Sequence, residues 1–313
     1  MKILLKVISL FLLVFGSNSY AKNTNAIIAI ASGGVHGQYY ETAHAFCNIL
    51  NQSGKINCIA RMTEGSVENI EIVLEDKTSM GISQEDVLSM HKDKDDMRAI
   101  IKLYPEILFI IASSNSNMLE FNDLINQENI TIGSKLSGER QTARHVMEEH
   151  GLNREIFQNI PRKDLLSILC KNATDVAFLV NANPSNFILD ITKKCNSRII
   201  SIKEDLIKKL VEGGNGYKSF IIQKNSYPNQ SVDISTISTD AILFASKEMS
   251  EEIVYEFLKI IFSNQKSLHS YLPFLFDFTK QGVFQKTTIP HHTGVEKFLK
   301  DMEQTQVPNK ATV

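Results

Sequence analysis

Two glycine-containing runs in this sequence have the residue types to hold an anion with backbone N–H groups. The first is Ile28-Ala29-Ile30-Ala31-Ser32-Gly33-Gly34-Val35-His36-Gly37-Gln38-Tyr39-Tyr40-Glu41. It passes from a strand-forming run through glycines into a helix, so the positive helix end and the bare N–H groups near Gly33, Gly34 and Gly37 favour a carboxylate or phosphate. The second, Gly133-Ser134-Lys135-Leu136-Ser137-Gly138-Glu139-Arg140, repeats that arrangement about a hundred residues later. A ligand held between the two would meet main-chain N–H groups and hydroxyls from both. The competing reading of each run is a glycine that only allows a tight turn.

Two further runs carry polar chemistry at strand ends. Thr63-Glu64-Gly65-Ser66-Val67-Glu68-Asn69 opens a helix, and its hydroxyls either cap that helix or face a solute. Met80-Gly81-Ile82-Ser83-Gln84-Glu85-Asp86 ends a strand on Gln84, whose amide offers both donor and acceptor. Arg61 and Arg140 either clamp a carboxylate or lie on the surface. The adjacent His291 and His292 do not form a metal pair, because neighbouring side chains diverge and no third ligand is apparent. Lys92-Asp93-Lys94-Asp95-Asp96 is a solvated face, and Phe274, Phe276 and Phe278 are packing residues.

The elements that must position these runs alternate along the chain. Apolar and polar periodicity predicts strands at 26–31, 55–62, 80–83, 107–112, 130–133, 175–180, 198–202 and 240–245. Helices are predicted at 39–51, 66–75, 140–150 and 164–170, with another running from a Ser250 cap through Phe262. Gly151 is a natural stop for the third. This is α/β patterning. The polar run 113–117 crosses between two units, and 213–235, with three glycines, Pro228 and several Asn, is an irregular connection. Residues 22–112 and 236–313 are therefore expected to form one discontinuous lobe and 113–235 the other, with residues after Val307 frayed.

The first 21 residues read as an export signal, with Lys2 and Lys6 ahead of an apolar run from Val7 to Phe15 and Ser19-Tyr20-Ala21 at the cut. That run is too short to span a bilayer comfortably. About 290 residues remain, enough for two lobes with substantial cores. Loss of Lys2 and Lys6 takes the formal charge from −2 to −4, which gives no electrostatic reason to expect nucleic acid or an anionic membrane as partner. A small solute in the periplasm is expected instead. The four cysteines lack CxxC spacing; Cys47 with Cys58 and Cys170 with Cys195 are the sequence-nearest of three pairings, against four buried thiols as the alternative.

Taken in order, these motifs resemble the TAXI (TRAP-associated extracytoplasmic immunogenic) family of TRAP transporter solute receptors. The resemblance rests on Gly33-Gly34-x-x-Gly37-x-Tyr39-Tyr40, Thr63-x-Gly65-Ser66-x-Glu68-Asn69, Gly81-Ile82-x-Gln84-x-Asp86, Leu103-Tyr104-Pro105-Glu106 and Gly133-x-x-x-Ser137-Gly138. It continues through Asp175-Val176-Ala177-Phe178 and Asn183-Pro184 to Ile289-Pro290-His291-His292-x-Gly294. It implies a two-lobed periplasmic-binding-protein fold of type II-like form, a monomer without cofactor, that closes on glutamate or a similar small carboxylate and delivers it to a membrane permease. Carried over, Ser32, Gly33, Gly37, Gln38 and Tyr39 line one wall beside Thr63, Ser66, Asn69 and Gln84. Ser137, Gly138 and Glu139 face them, with Asn183 and Pro184 at the rim.

Relatives usually carry a small residue at the position of His36, and Thr at those of Gln38 and Glu139. Glu139 either meets a ligand ammonium or favours the helix N-terminus by its charge. His36 either donates to a carboxylate and responds to pH or is an exposed loop residue without a role. A secreted hydrolase or transferase is the alternative function, but the sequence has no Gly-x-Ser-x-Gly elbow and no lysine after a phosphate-binding glycine loop. A sensing or surface-binding module that serves no permease is the other.

Overall fold

The computed structural model describes residues 26–35, 37–153, 157–275 and 278–306. The signal segment, His36, Phe276 and the residues after Val307 lie outside them. In chain order the main elements begin with β1 (Ala26–Ala31), α1 (Gln38–Ser53), β2 (Ile56–Arg61), α2 (Ser66–Glu75), β3 (Ser79–Gln84) and α3 (Glu85–Met90). Next come β4 (Met97–Ala112), β5 (Ile130–Thr131), α4 (Gly138–Glu149), α5 (Arg162–Cys170), β6 (Val176–Asn181), α6 (Asn186–Lys194), β7 (Arg198–Ile199), α7 (Glu204–Glu212) and β8 (Lys218–Ile222). The chain then forms β9 (Ile234–Ser246), α8 (Glu251–Ser263), α9 (Gln265–Tyr271), α10 (Lys280–Val283) and α11 (Thr293–Gln306).

The strands form one curled sheet in the order β2-β1-β3-β9-β4-β6-β5, with β7 on β4 and β8 on β9. β1 runs parallel to β2 and β3, while β9 runs antiparallel to β3, β4 and β8. The antiparallel pair β4 and β9 is the structural key. At 16 residues, β4 is roughly 50 Å long, enough to pass through two packed units.

Two sets of apolar residues meet along that pair. The first gathers Ile28 and Ile30 of β1, Phe46 and Leu50 of α1, and Phe257 and Ile261 of α8, with Phe46 and Phe257 edge to face at 5.6 Å. The second begins at Ile107 and covers both faces of β4. Leu108, Ile110 and Ala112 face Val146, Phe178 and Leu210, while Ile107, Phe109 and Ile111 face Leu169, Leu179 and Ile188. The two-residue period of a strand produces that split, and helices on both faces make every position apolar. β4 changes core between Tyr104 and Ile107, and β9 changes core between Ile237 and Ala241.

Several elements differ from the sequence expectation. β4 starts ten residues before Ile107, because Arg98, Lys102 and Glu106 interrupt its apolar run and register shifts occur at 99–101 and 102–105. The 113–117 segment is already tied into the second core through Ser113 N–H on the Asp175 carbonyl at 3.0 Å. The irregular stretch 213–235 contains β8, which pairs with β9 over five residues. β5 and β7 are only two residues long. Phe274 packs edge to face on Tyr104 at 5.3 Å, and Phe278 lies 5.0 Å from Phe262. Disulfides join Cys47 to Cys58 and Cys170 to Cys195.

Candidate functional site

The first glycine turn is anchored from beneath. Ser32, fully buried at the end of β1, donates its N–H and its hydroxyl to the Arg61 carbonyl at 3.1 and 2.7 Å. Thr63 N–H reaches the Gly33 carbonyl at 3.3 Å. Asn69, buried on α2, donates its amide to the Ser32 and Ile82 carbonyls, both at 2.6 Å, and accepts the Thr63 hydroxyl at 2.7 Å. It thereby pins the carboxyl ends of β1 and β3 together. Gly37, extended at the N-cap of α1, donates to the Gly34 carbonyl at 2.8 Å, and Gln38 begins the helix. One residue on, Tyr39 donates its hydroxyl to Glu106 Oε2 at 2.6 Å.

The second turn docks directly on the first unit. Gly133 has a φ of +82°, and a Cβ there would lie 2.7 Å from the Ser137 hydroxyl. Ser137 caps α4, accepting Arg140 N–H at 3.2 Å and donating to the Ser134 carbonyl at 2.9 Å. A Cβ on Gly138 would sit 2.1 Å from Gln84 Oε1 and 2.5 Å from Ser66 Oγ, so only glycine allows this approach. Val67 N–H bonds the Leu136 carbonyl at 3.1 Å, while Gln84 Nε2 donates to Thr142 Oγ1 at 2.7 Å. The Thr142 hydroxyl in turn donates to Asp86 Oδ2 at 2.6 Å, and Tyr217 donates to the same oxygen at 2.9 Å. Burial pushes the Asp86 carboxyl up against the opposing pull of these hydroxyls, and burial with the Asp86 charge raises Tyr217 well above its ordinary value.

Ser66, Gln84, Ser137 and Gly138 thus come together across the two units. Glu139 instead turns into its own unit, where Oε2 accepts Val180 N–H at 3.1 Å and Arg162 Nη1 at 2.9 Å. Burial raises its carboxyl, and Arg162 draws it back down. Asn183 accepts the Tyr227 hydroxyl at 2.8 Å and Pro184 is exposed after a cis bond; among the described residues neither makes a hydrogen bond to the first unit. Arg61 is exposed, and Arg140 Nη1 donates to the Gly133 carbonyl at 3.3 Å.

Glu106 is the residue that the motif reading left without a role. It sits on β4 opposite Thr239 of β9, where both strands change core, and is 7% exposed. Burial pushes its carboxyl up to about 7, with the Tyr39 hydroxyl opposing and the Asp86 charge adding. Its sequence signal is an acid directly ahead of the unbroken apolar run 107–112. Glu106, Thr142, Val180, Tyr217 and Ser238 line a tightly closed seam between the units, with no room for a water molecule. Beside it Lys102 bonds Asp240 at 2.8 Å, and Lys218 bonds the same oxygen at 2.5 Å. Burial opposes ionisation of Asp240, but the two lysines hold its carboxyl below the usual range.

Against known proteins, the model of the NMT1-like family matches residues 30–302. The chain belongs to the NMT1-like family. Among solved structures it is similar to XAC2383 from Xanthomonas citri bound to ATP, at 8% identity and a TM-score of 0.56, over 90% of this chain and 96% of that one. The same protein bound to chloride aligns at 8% identity and 0.54, over 89% and 96%. These likenesses show the fold. A TctC solute binding protein from Polaromonas aligns at 16% identity and 0.46, over 80% and 88%. Among the described residues no helix of this NMT1-like protein is long and apolar enough to cross a membrane.

Proposed function

We propose that this NMT1-like protein is a periplasmic solute receptor of the TAXI type, which encloses a small carboxylate or amino acid between its lobes and presents it to a TRAP-type permease. The observation that carries the reading is the pair β4 and β9. Among the described residues, two separately packed cores share those strands as their through-going connection, and the Gly138 turn meets Ser66 and Gln84 away from them. Two rigid bodies on a short double hinge close by rotation, and a solute that touches both favours the closed form by its differential affinity. The export signal read from the sequence and the order of the motifs support the location and the permease type.

An enzymatic role has less support. The hydroxyls of Ser32 and Ser137 are donated to backbone carbonyls, and Ser66 Oγ accepts the Gln84 N–H, so none is paired with a base. The test is solution scattering and thermal melting of ligand-stripped mature protein against amino acids and dicarboxylates. A solute should raise the melting temperature and reduce the radius of gyration. One unchanging shape, with no melting shift for any compound, overturns the receptor reading.

A further inference from the structure

Four residues of α4 fall on one stripe. Gly138, Thr142, His145 and Glu149 recur at three- and four-residue spacing, so they share a helix face. Gly138 meets Gln84 and Ser66, and Thr142 donates to Asp86 in the first turn of α3. One turn further along, His145 reaches the same acid through a tyrosine. Its Nδ1 lies 3.2 Å from the Tyr217 oxygen, the two rings stack with centroids 5.6 Å apart, and Tyr217 donates to Asp86 Oδ2 at 2.9 Å. The other ring nitrogen, Nε2, lies 3.6 Å from Glu149 Oε1. A line of polar groups thus runs from the surface of the second unit, where Lys209 pairs with Glu149 at 2.9 Å, to a carboxyl fully buried in the first.

Along this line the hydrogens are one short unless the imidazole is charged. Tyr217 has a single hydroxyl hydrogen, and Asp86 receives it. His145 Nδ1 must then bring its own hydrogen to the Tyr217 oxygen, while Nε2 faces a carboxyl that Lys209 holds below the usual range. A neutral imidazole carries one N–H and an imidazolium two, so only the charged ring serves both neighbours. A neutral ring has two arrangements, and each gives something up. With the hydrogen on Nδ1, the Nε2 lone pair points at the Glu149 carboxylate. With it on Nε2, Nδ1 becomes an acceptor that competes with Asp86 for the Tyr217 hydrogen. The charged and titratable groups around His145 are Tyr217 ahead of β8 and Glu149 on its own helix, with Lys209 of α7 behind Glu149 and Asp86 of α3 behind Tyr217. Glu106 of β4 lines the same seam as Tyr217.

We propose that His145 is a proton-controlled latch between the two units, which when charged holds Tyr217 on Asp86 and when neutral lets that contact slacken. Docking of the units then strengthens as pH falls through the range in which histidine side chains ordinarily titrate. The inference rests on the receptor reading only for its consequence, that closure on a solute is firmer under mild acid.

The test reads the Val67 amide, whose hydrogen bond to the Leu136 carbonyl at 3.1 Å crosses between the units. Hydrogen exchange of ligand-stripped mature protein is measured at about pH 5.5 and about pH 8, each corrected for the intrinsic rate. Between the two, protection in wild type should fall about fivefold further than in His145→Gln, the factor that one neutral hydrogen bond supplies. Glu106 titrates beside the same seam in both proteins, so the comparison cancels it. Tyr217→Phe keeps the stacked ring and removes the bridging hydroxyl, and its fall should match that of His145→Gln. If protection in either variant falls as far as in wild type or further, or if Val67 exchanges without protection at both pH values, the inference is overturned. No solute enters the measurement, so the receptor reading stands or falls separately, on melting and scattering.

Discussion

Gly138→Ala tests lobe closure at its tightest contact. The added Cβ would lie 2.1 Å from Gln84 Oε1 and 2.5 Å from Ser66 Oγ, with Gln84 Cδ at 2.8 Å. Relief needs a separation greater by roughly 1 Å. A free glutamine could swing aside, but this one is 4% exposed and its amide is held by Thr142 at 2.7 Å. Either Gln84 gives up Thr142, or the whole turn lifts and Val67 loses the Leu136 carbonyl as well. At about 1 kcal/mol for each neutral bond, closure loses about 2 kcal/mol, or about 30-fold in the ratio of closed to open forms. Neither apolar core is touched, so the melting temperature of the solute-free protein should hardly move. Solute affinity measured by calorimetry should fall by about the same 30-fold, and scattering from the saturated protein should report a larger radius of gyration than wild type. Wild-type affinity together with a wild-type closed radius would refute the docking of α4 on Gln84 as the closing contact.

Three further outcomes are expected. Glu106, raised to about 7 from 4.5, keeps its proton when folded in a pH range where the unfolded chain has released it. Stability should therefore fall as pH rises from about 4.5 through about 7, by about 3 kcal/mol from this residue, and urea unfolding of Glu106→Gln should show a shallower decline across that window. Asn69→Leu strands the Ser32 and Ile82 carbonyls and should cost about 3 kcal/mol, read as a lower urea midpoint with an unchanged slope. The Cys170–Cys195 bridge spans 25 positions, so Cys170→Ser with Cys195→Ser should lower unfolding free energy by about 3 kcal/mol, and added reductant should then have less effect on melting than in wild type.

What was legible in the sequence, and what was not, divides along a physical line. β1, α2 and the cap of α4 are local structures, written by alternation, by helical spacing and by Ser137 three residues ahead of the N–H it accepts. The glycine turns were legible because backbone approach demands glycine. The chain of contacts Gln84, Thr142, Asp86 and Tyr217 was not, since Thr142 and Tyr217 stand 56 and 131 positions from Asp86 and no spacing rule reaches that far. β4 is the instructive case. Periodicity starts the strand only at Ile107 because Lys102, Pro105 and Glu106 break its apolar run, and a strand interior normally excludes such residues. Those same residues sit where the strand passes between cores, with Lys102 paired to Asp240 and Glu106 held by Tyr39. A strand buried at both ends can carry charge in its middle only where two packed units part and polar groups from each arrive to meet it. The interruption in the pattern therefore marks the place where β4 leaves one core and enters the next, and substituting Glu106 probes that junction.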